Sequence, residues 1–376
     1  MNRLASIQVL RGVAAVLVVV DHALAWSAPW AGYSDRIVAT AEHVGLVGVW
    51  VFFVISGYIM VRTTDGEFGR PGARVRFLLK RIVRIVPLYW IATFVEIALR
   101  ARTGRAPPLD EIAASLLFLP YVDPVPAASI RPVLGVGWTL IYEMFFYVMF
   151  ALVMVWRRQR GLSILALIML AIVAAGTLLK PLSDTSSPTT VATYISDPII
   201  LLFTLGVLVG RCSEAGVQAP WATTLALIKA GVALALAIAM FVAFVAPAQS
   251  PLAWRSAFWL LCVAAVAVCA FAGQDRETAW QRPLVWLGDA SYSIYLFHFF
   301  WIIGFNKLWL ALVGERAPLA FVILAVPGAI AVGCIVHVVL ERPLTAWLGR
   351  RLSRRPASAD ERPVRGARVL QDPSVP

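Results

Sequence analysis

Apolar residues along this chain come in long blocks separated by short polar or basic stretches. A helix needs about 20 largely apolar residues to cross the hydrocarbon of a bilayer. A window of that length picks out ten segments: 7–27, 44–61, 85–99, 136–156, 161–179, 194–211, 221–245, 252–272, 288–312 and 318–340. The third is short and lengthens backwards only by taking in Lys80, Arg81 and Arg84 together with Phe77, Leu78 and Leu79. Residues 111–121 (EIAASLLFLPY) are apolar but too short to span, and read as interfacial or re-entrant. The pattern predicts an all-α, polytopic integral membrane protein of about ten transmembrane helices, and an even number of spans puts both termini on one side.

Composition sharpens this. Hydrophobic residues make up 60% of the 376 and charged residues 14%, against roughly 45–50% and about 25% in soluble domains. With a mean hydropathy of +0.79, the chain is not a soluble enzyme, a disordered chain or a nucleic-acid module, despite a formal charge of +12. That charge has a topological cause. With the N-terminus in the cytoplasm, 22 of the 33 Lys and Arg residues fall on the cytoplasmic side, eight on the other and three within spans. Lysine and arginine excess marks the cytoplasmic face, so both termini are expected there. The N-terminus resembles a signal peptide, but Arg11 interrupts its apolar run and Asp21 and His22 precede the Ala23-Leu24-Ala25 site, so the segment is expected to stay as the first span. Residues 1–350 form the expected membrane domain, and 351–376, rich in Arg, Pro, Ala and Ser, a disordered cytosolic tail. Cys212, Cys262, Cys269 and Cys334 have neither metal nor disulfide spacing and read as small hydrophobes.

Ionisable residues inside spans are costly to insert and are functional candidates by default. Arg11 and His22 are eleven residues apart, which brings both to one face of the first helix, about 16 Å apart along its axis. Asp21 points about 100° away and is placed to orient a neighbour. The alternative is an arginine snorkelling to headgroups and a histidine satisfied within its own helix. Arg81 and Arg84 share a helix face, and Arg74 extends it by one heptad. Paired guanidiniums suit bidentate phosphate capture, although positive-inside topology alone also explains them. Glu143, with Tyr147 one turn on, needs a partner in the membrane, and His22 is expected at similar depth. Gly288 to His298 open the ninth span with Ser291, Tyr292, Ser293 and Tyr295, a hydroxyl-rich stretch suited to a polar ligand or to helix packing and gating. His43 and His337 have no partner that the sequence identifies.

Taken together and in order, these segments resemble the membrane-bound acyltransferase-3 family. The matching pieces are Gln8-x-Leu10-Arg11-Gly12 leading to His22, Phe52-Phe53-x-x-Ser56-Gly57-Tyr58, and Arg81-x-x-Arg84-Ile85-x-Pro87-x-Tyr89. Further on come Trp138-Thr139-Leu140-x-x-Glu143-x-x-Phe146-Tyr147, Ser291-Tyr292-Ser293-x-Tyr295-x-x-His298 and Glu341-Arg342-Pro343. Two departures are Asp21, where the family often has an aromatic or apolar residue, and the lack after the last span of the esterase-like domain that some members append.

The resemblance implies a bacterial inner-membrane enzyme that takes an acyl group, most often acetyl, from cytosolic acyl-CoA. It implies delivery to a hydroxyl of a cell-surface or lipid-linked glycan, such as an exopolysaccharide. In that frame His22 and Glu143 are the expected catalytic pair, with Glu143 orienting His22. Arg11, Arg81, Arg84 and Arg74 are expected to handle the donor, and Tyr147, Ser291, Tyr292 and Asp21 to contact substrate. No permanently bound cofactor and no metal are expected; the partners are acyl-CoA, the saccharide acceptor and membrane lipid. The polyanionic part of CoA stays at the cytosolic mouth, and its pantetheine arm extends along the Arg11–His22 stripe. Neutral His22 then acts as general base, or forms an acyl-histidine relay. On composition alone, a proton-coupled transporter or flippase is the rival reading.

Overall fold

The computed structural model describes residues 5–122, 130–180, 188–214, 252–271, 279 and 281–353. The expected span 221–245 and most of the expected tail, 354–376, lie outside these. Described residues form an all-helical bundle: α1 (Ala5–Ala31), α2 (Asp35–Thr63), α3 (Ala73–Arg102), α4 (Leu109–Leu116), α5 (Trp138–Val153), α6 (Arg158–Gly176), α7 (Val191–Ile195), α8 (Leu201–Glu214), α9 (Leu252–Phe271), α10 (Arg282–Asp289), α11 (Ser291–Leu312), α12 (Pro318–Val336) and α13 (Arg342–Ser353). A five-residue π segment, His337–Glu341, joins α12 to α13. Among the described residues eight helical stretches are long and apolar enough to cross a membrane. The chain is an all-α, multi-pass membrane protein.

Several expected boundaries shift for physical reasons. The third span is 30 residues long and includes Lys80, Arg81 and Arg84, because Arg81 turns into the protein while Lys80 stays exposed. The sixth is broken at Ser196–Asp197, where the Asp197 carboxylate caps the next turn at the Ile199 N–H (2.8 Å) and Pro198 follows. The ninth is broken at Ala290. Residues 351–353, expected in the tail, are helical. The stretch 111–121 contains α4, whose buried Ser115 hydroxyl meets the Tyr89 hydroxyl at 2.9 Å.

α2 is the central post, with 83% of its apolar window buried inside the protein. It meets α8 at a crossing of small residues. A Cβ on Gly57 would collide with the Phe203 carbonyl, and one on Gly206 with the Val54 carbonyl. In lipid, where apolar burial does not drive association, such close backbone approach is what packs helices. Stacked Phe53, Phe203 and Phe146 continue the contact into α5. Gly206→Val should therefore force the pair apart and cost about 1–3 kcal/mol or more. Thermal unfolding of detergent-solubilised protein should show a clearly lowered midpoint; an unchanged midpoint would mean the crossing is loose.

Candidate active site

Three arginines from two helices converge on one cavity. Arg11 of α1 is 8% exposed although it lies inside an apolar helix. Its Nη1 donates to Gln8 Oε1 (3.0 Å), and Gln8 Nε2 donates to Asp289 Oδ1 (3.0 Å). This chain ties α1 to the end of α10, where a Cβ on Gly288 would strike the Gln8 carbonyl. Only glycine lets the two backbones approach that closely. The ladder breaks at Ala290, and α11 begins with Ser291 and Tyr292 facing the cavity. Tyr292 donates to the Ile85 carbonyl of α3 (2.7 Å), fixing α11 against the arginine helix.

On α3, Arg81 is 9% exposed. Its Nη2 donates to Thr63 Oγ1 (2.9 Å), and its guanidinium lies over the rings of Phe77 and Tyr147 at 5.5 and 5.8 Å. Arg84, one turn on, has no hydrogen bond or ion pair among the described residues. Across from them, the Glu143 carboxylate accepts from Ser56 Oγ (3.2 Å) and from the Tyr147 hydroxyl. Arg11, Arg81, Arg84, Ser56, Glu143 and Tyr147 line one cavity, whose empty space together with the part open to the outside is about 740 Å³. Three guanidiniums against one carboxylate give it a positive balance, suited to an anionic ligand. Ser291 Oγ and Arg81 Nε are buried without a partner among the described residues, and such groups mark where a ligand completes the hydrogen bonding.

Seven of the expected site residues thus meet: Arg11, Arg81, Arg84, Glu143, Tyr147, Ser291 and Tyr292 all line the cavity. Three do not. Arg74 is exposed at the start of α3, away from the cavity. Asp21 packs against Gly45 of α2, with Oδ2 3.6 Å from His22 Nδ1. His22 itself lies outside the cavity lining. Its Nδ1 donates to the Val18 carbonyl (2.9 Å), and its side chain keeps 29% exposure.

Two expectations are corrected by this placement. Glu143 does not pair with His22; its partners are Ser56 and Tyr147. Glu143 instead reaches Ser56 of α2 from the first turns of α5. Val133, Leu134 and Val136 leading into it are buried, and Arg100 Nη2 grips the Val133 carbonyl at 2.6 Å. The Arg11–His22 stripe is also not an open passage. Ala14 and Val18 between them pack on Gly48 of α2. The cavity is bounded towards His22 by Phe52, Thr139 and Tyr295, with the Tyr295 hydroxyl bonded to Val136 O and Thr139 Oγ1, both at 2.8 Å. Ser56, Thr139 and Tyr295 were within the quoted motifs without a role. The signal for each is a hydroxyl inside a membrane-spanning helix.

An acyltransferase domain family model matches residues 4–338, nearly the whole described bundle. The chain belongs to this acyltransferase-3 family. The acyltransferase is 36% identical over 312 residues to the exopolysaccharide production protein ExoZ of Rhizobium meliloti (strain 1021), covering 81% of this chain and 92% of that one. It is 27% identical over 389 residues to the acyltransferase MdmB of Streptomyces mycarofaciens, covering 93% of each. No solved structure gives a significant match. Family membership favours the enzyme over the carrier reading. In the acyltransferase, among the described residues, no group of three or more His, Cys, Asp or Glu side chains is placed to hold a metal ion.

Proposed function

We propose that this acyltransferase moves an acyl group, acetyl in the first instance, from cytosolic acyl-CoA to a hydroxyl of a cell-surface or lipid-linked glycan at the bacterial inner membrane. The observation that carries the reading is the cavity ringed by Arg11, Arg81 and Arg84, with Arg84 uncommitted to any described partner. CoA is a polyanion that hydrocarbon excludes, and charge-assisted hydrogen bonds from arginine to phosphate are among the strongest that a protein makes. ExoZ, named for exopolysaccharide production, supports a saccharide acceptor.

In this reading His22 is the base. A carbonyl only accepts, so the bond to Val18 fixes the proton of neutral His22 on Nδ1 and leaves the Nε2 lone pair free. Nε2 takes the proton of the acceptor hydroxyl as its oxygen bonds to the thioester carbonyl carbon. The carbon–sulfur bond breaks, and the thiolate leaves and recovers the proton as free CoA. Glu143 serves the donor cavity rather than His22, offsetting the neighbouring arginines and anchoring Ser56 and Tyr147. Tyr295, against Phe52 on one side and His298 on the other, stands in the cavity wall between the arginines and the histidines, and this reading requires the thioester to pass it.

The test uses purified protein in lipid nanodiscs with acetyl-CoA and the host polysaccharide. Thiol release matched one for one by new ester on the glycan is expected. Ester formed without acyl-CoA would overturn the donor, and thiol release with no glycan ester would overturn the acceptor.

A further inference from the structure

The segment that opens α11 ends in a second histidine to which the mechanism above gives no role. His298 is completely buried, its Nδ1 donates to the Ile294 carbonyl (3.1 Å), and its Nε2 has no partner among the described residues. Its ring meets that of His22 edge-on, with centroids 4.9 Å apart and planes at 75°. Both histidines commit Nδ1–H to the carbonyl four residues back in their own helix. Both therefore carry the free lone pair on Nε2 when neutral. A buried nitrogen lone pair with no donor costs stability unless the site uses it.

We infer that His298 is a positioning residue for acyl transfer: it acts through His22, supporting the imidazolium that forms when His22 takes the acceptor's proton. The inference rests on the reading of His22 as base. The hydroxyl O–H bond breaks, the proton binds His22, and the neutral His298 ring beside it stabilises that charge. Proton and electron pair stay as balanced in the reaction above, since the thiolate later removes the same proton. The geometry suits this support, because a neutral imidazole offers a lone pair at its edge and electron density on its face. Among the described residues, Asp21 of α1, with Glu42 of α2 behind it, and Tyr295 of α11 are the other ionisable groups flanking the pair. Tyr295 also touches Phe52 in the wall of the arginine cavity, so the pair lies directly behind that wall.

Two variants separate this role from packing. His298→Leu keeps apolar bulk and removes the acceptor, and His298→Gln keeps a side-chain acceptor. The inference predicts that kcat falls on the order of 100-fold in His298→Leu, with KM for donor and acceptor within about twofold, and that His298→Gln recovers about a tenth of the wild-type rate or more. A packing role gives the opposite order, with leucine tolerated and glutamine harmful. A second readout needs no substrate. The chain has only four histidines, so ¹⁵N-histidine NMR of the full protein in nanodiscs can follow His22 alone. In His298→Leu and His298→Gln alike, its titration should move to lower pH, further in the leucine variant. A His22 titration that neither substitution moves overturns the inference. A wild type that releases no thiol from acyl-CoA overturns the donor reading instead, and the NMR result still decides the pair.

Discussion

Replacing His22 by alanine is expected to lower acyl transfer on the order of a thousandfold, since positioned general bases contribute roughly 10²–10⁴. The side chain is partly exposed, and its one hydrogen bond among the described residues goes to its own helix, so its removal is expected to leave the bundle intact. Membrane content and thermal midpoint should stay near wild type while glycan ester falls to background. His22→Gln should fare no better, because an amide does not take up a proton at neutral pH. Substantial turnover in His22→Ala would remove this residue from the chemistry. An obligatory ternary complex with no acylated enzyme would support direct base catalysis, and a trapped acyl-His22 with ping-pong kinetics would support the relay.

The second large effect belongs to Arg84. Arg81 is already engaged by Thr63 and two aromatic rings, whereas Arg84 has no described partner. Losing a charge-assisted hydrogen bond costs about 1.5–3 kcal/mol, so Arg84→Ala should raise the donor KM roughly 10–100-fold with little change in acceptor KM. Arg81→Ala should weaken donor use and also loosen the α2–α3–α5 contact, lowering the thermal midpoint. Arg74→Ala, at an exposed position outside the cavity, should leave the donor KM within about twofold. Initial-rate kinetics across the three variants distinguishes these outcomes. Equal effects from Arg74 and Arg84 would return the arginines to a topological role.

The class of fold was plain in the hydropathy pattern, because only helices or closed barrels satisfy the backbone in lipid and the blocks had helical length. Seven of the ten expected site residues meet at one cavity because helix periodicity carries side-chain direction over short distances, as with Arg81 and Arg84. What escaped depends on how helices enter the bundle. Periodicity put Glu143 and Tyr147 on one face but did not show that this face meets Ser56 of α2 rather than His22, which only the packing of the helices sets. Arg11 and His22 do lie eleven residues apart on one helix, yet the face between them is closed by Gly48 of α2. No property of α1 alone announces that. His298 stood in a quoted motif, but its contact with His22 joins residues 276 positions apart in sequence.

The central claim is a division of labour: the arginine cavity holds the donor and His22, behind its wall, does the chemistry. Equilibrium binding of CoA to the purified wild-type, His22→Ala and Arg84→Ala proteins tests this most directly. Wild type and His22→Ala should bind with the same affinity, and Arg84→Ala about tenfold or more weaker. Loss of binding in His22→Ala, or undiminished binding in Arg84→Ala, would contradict it.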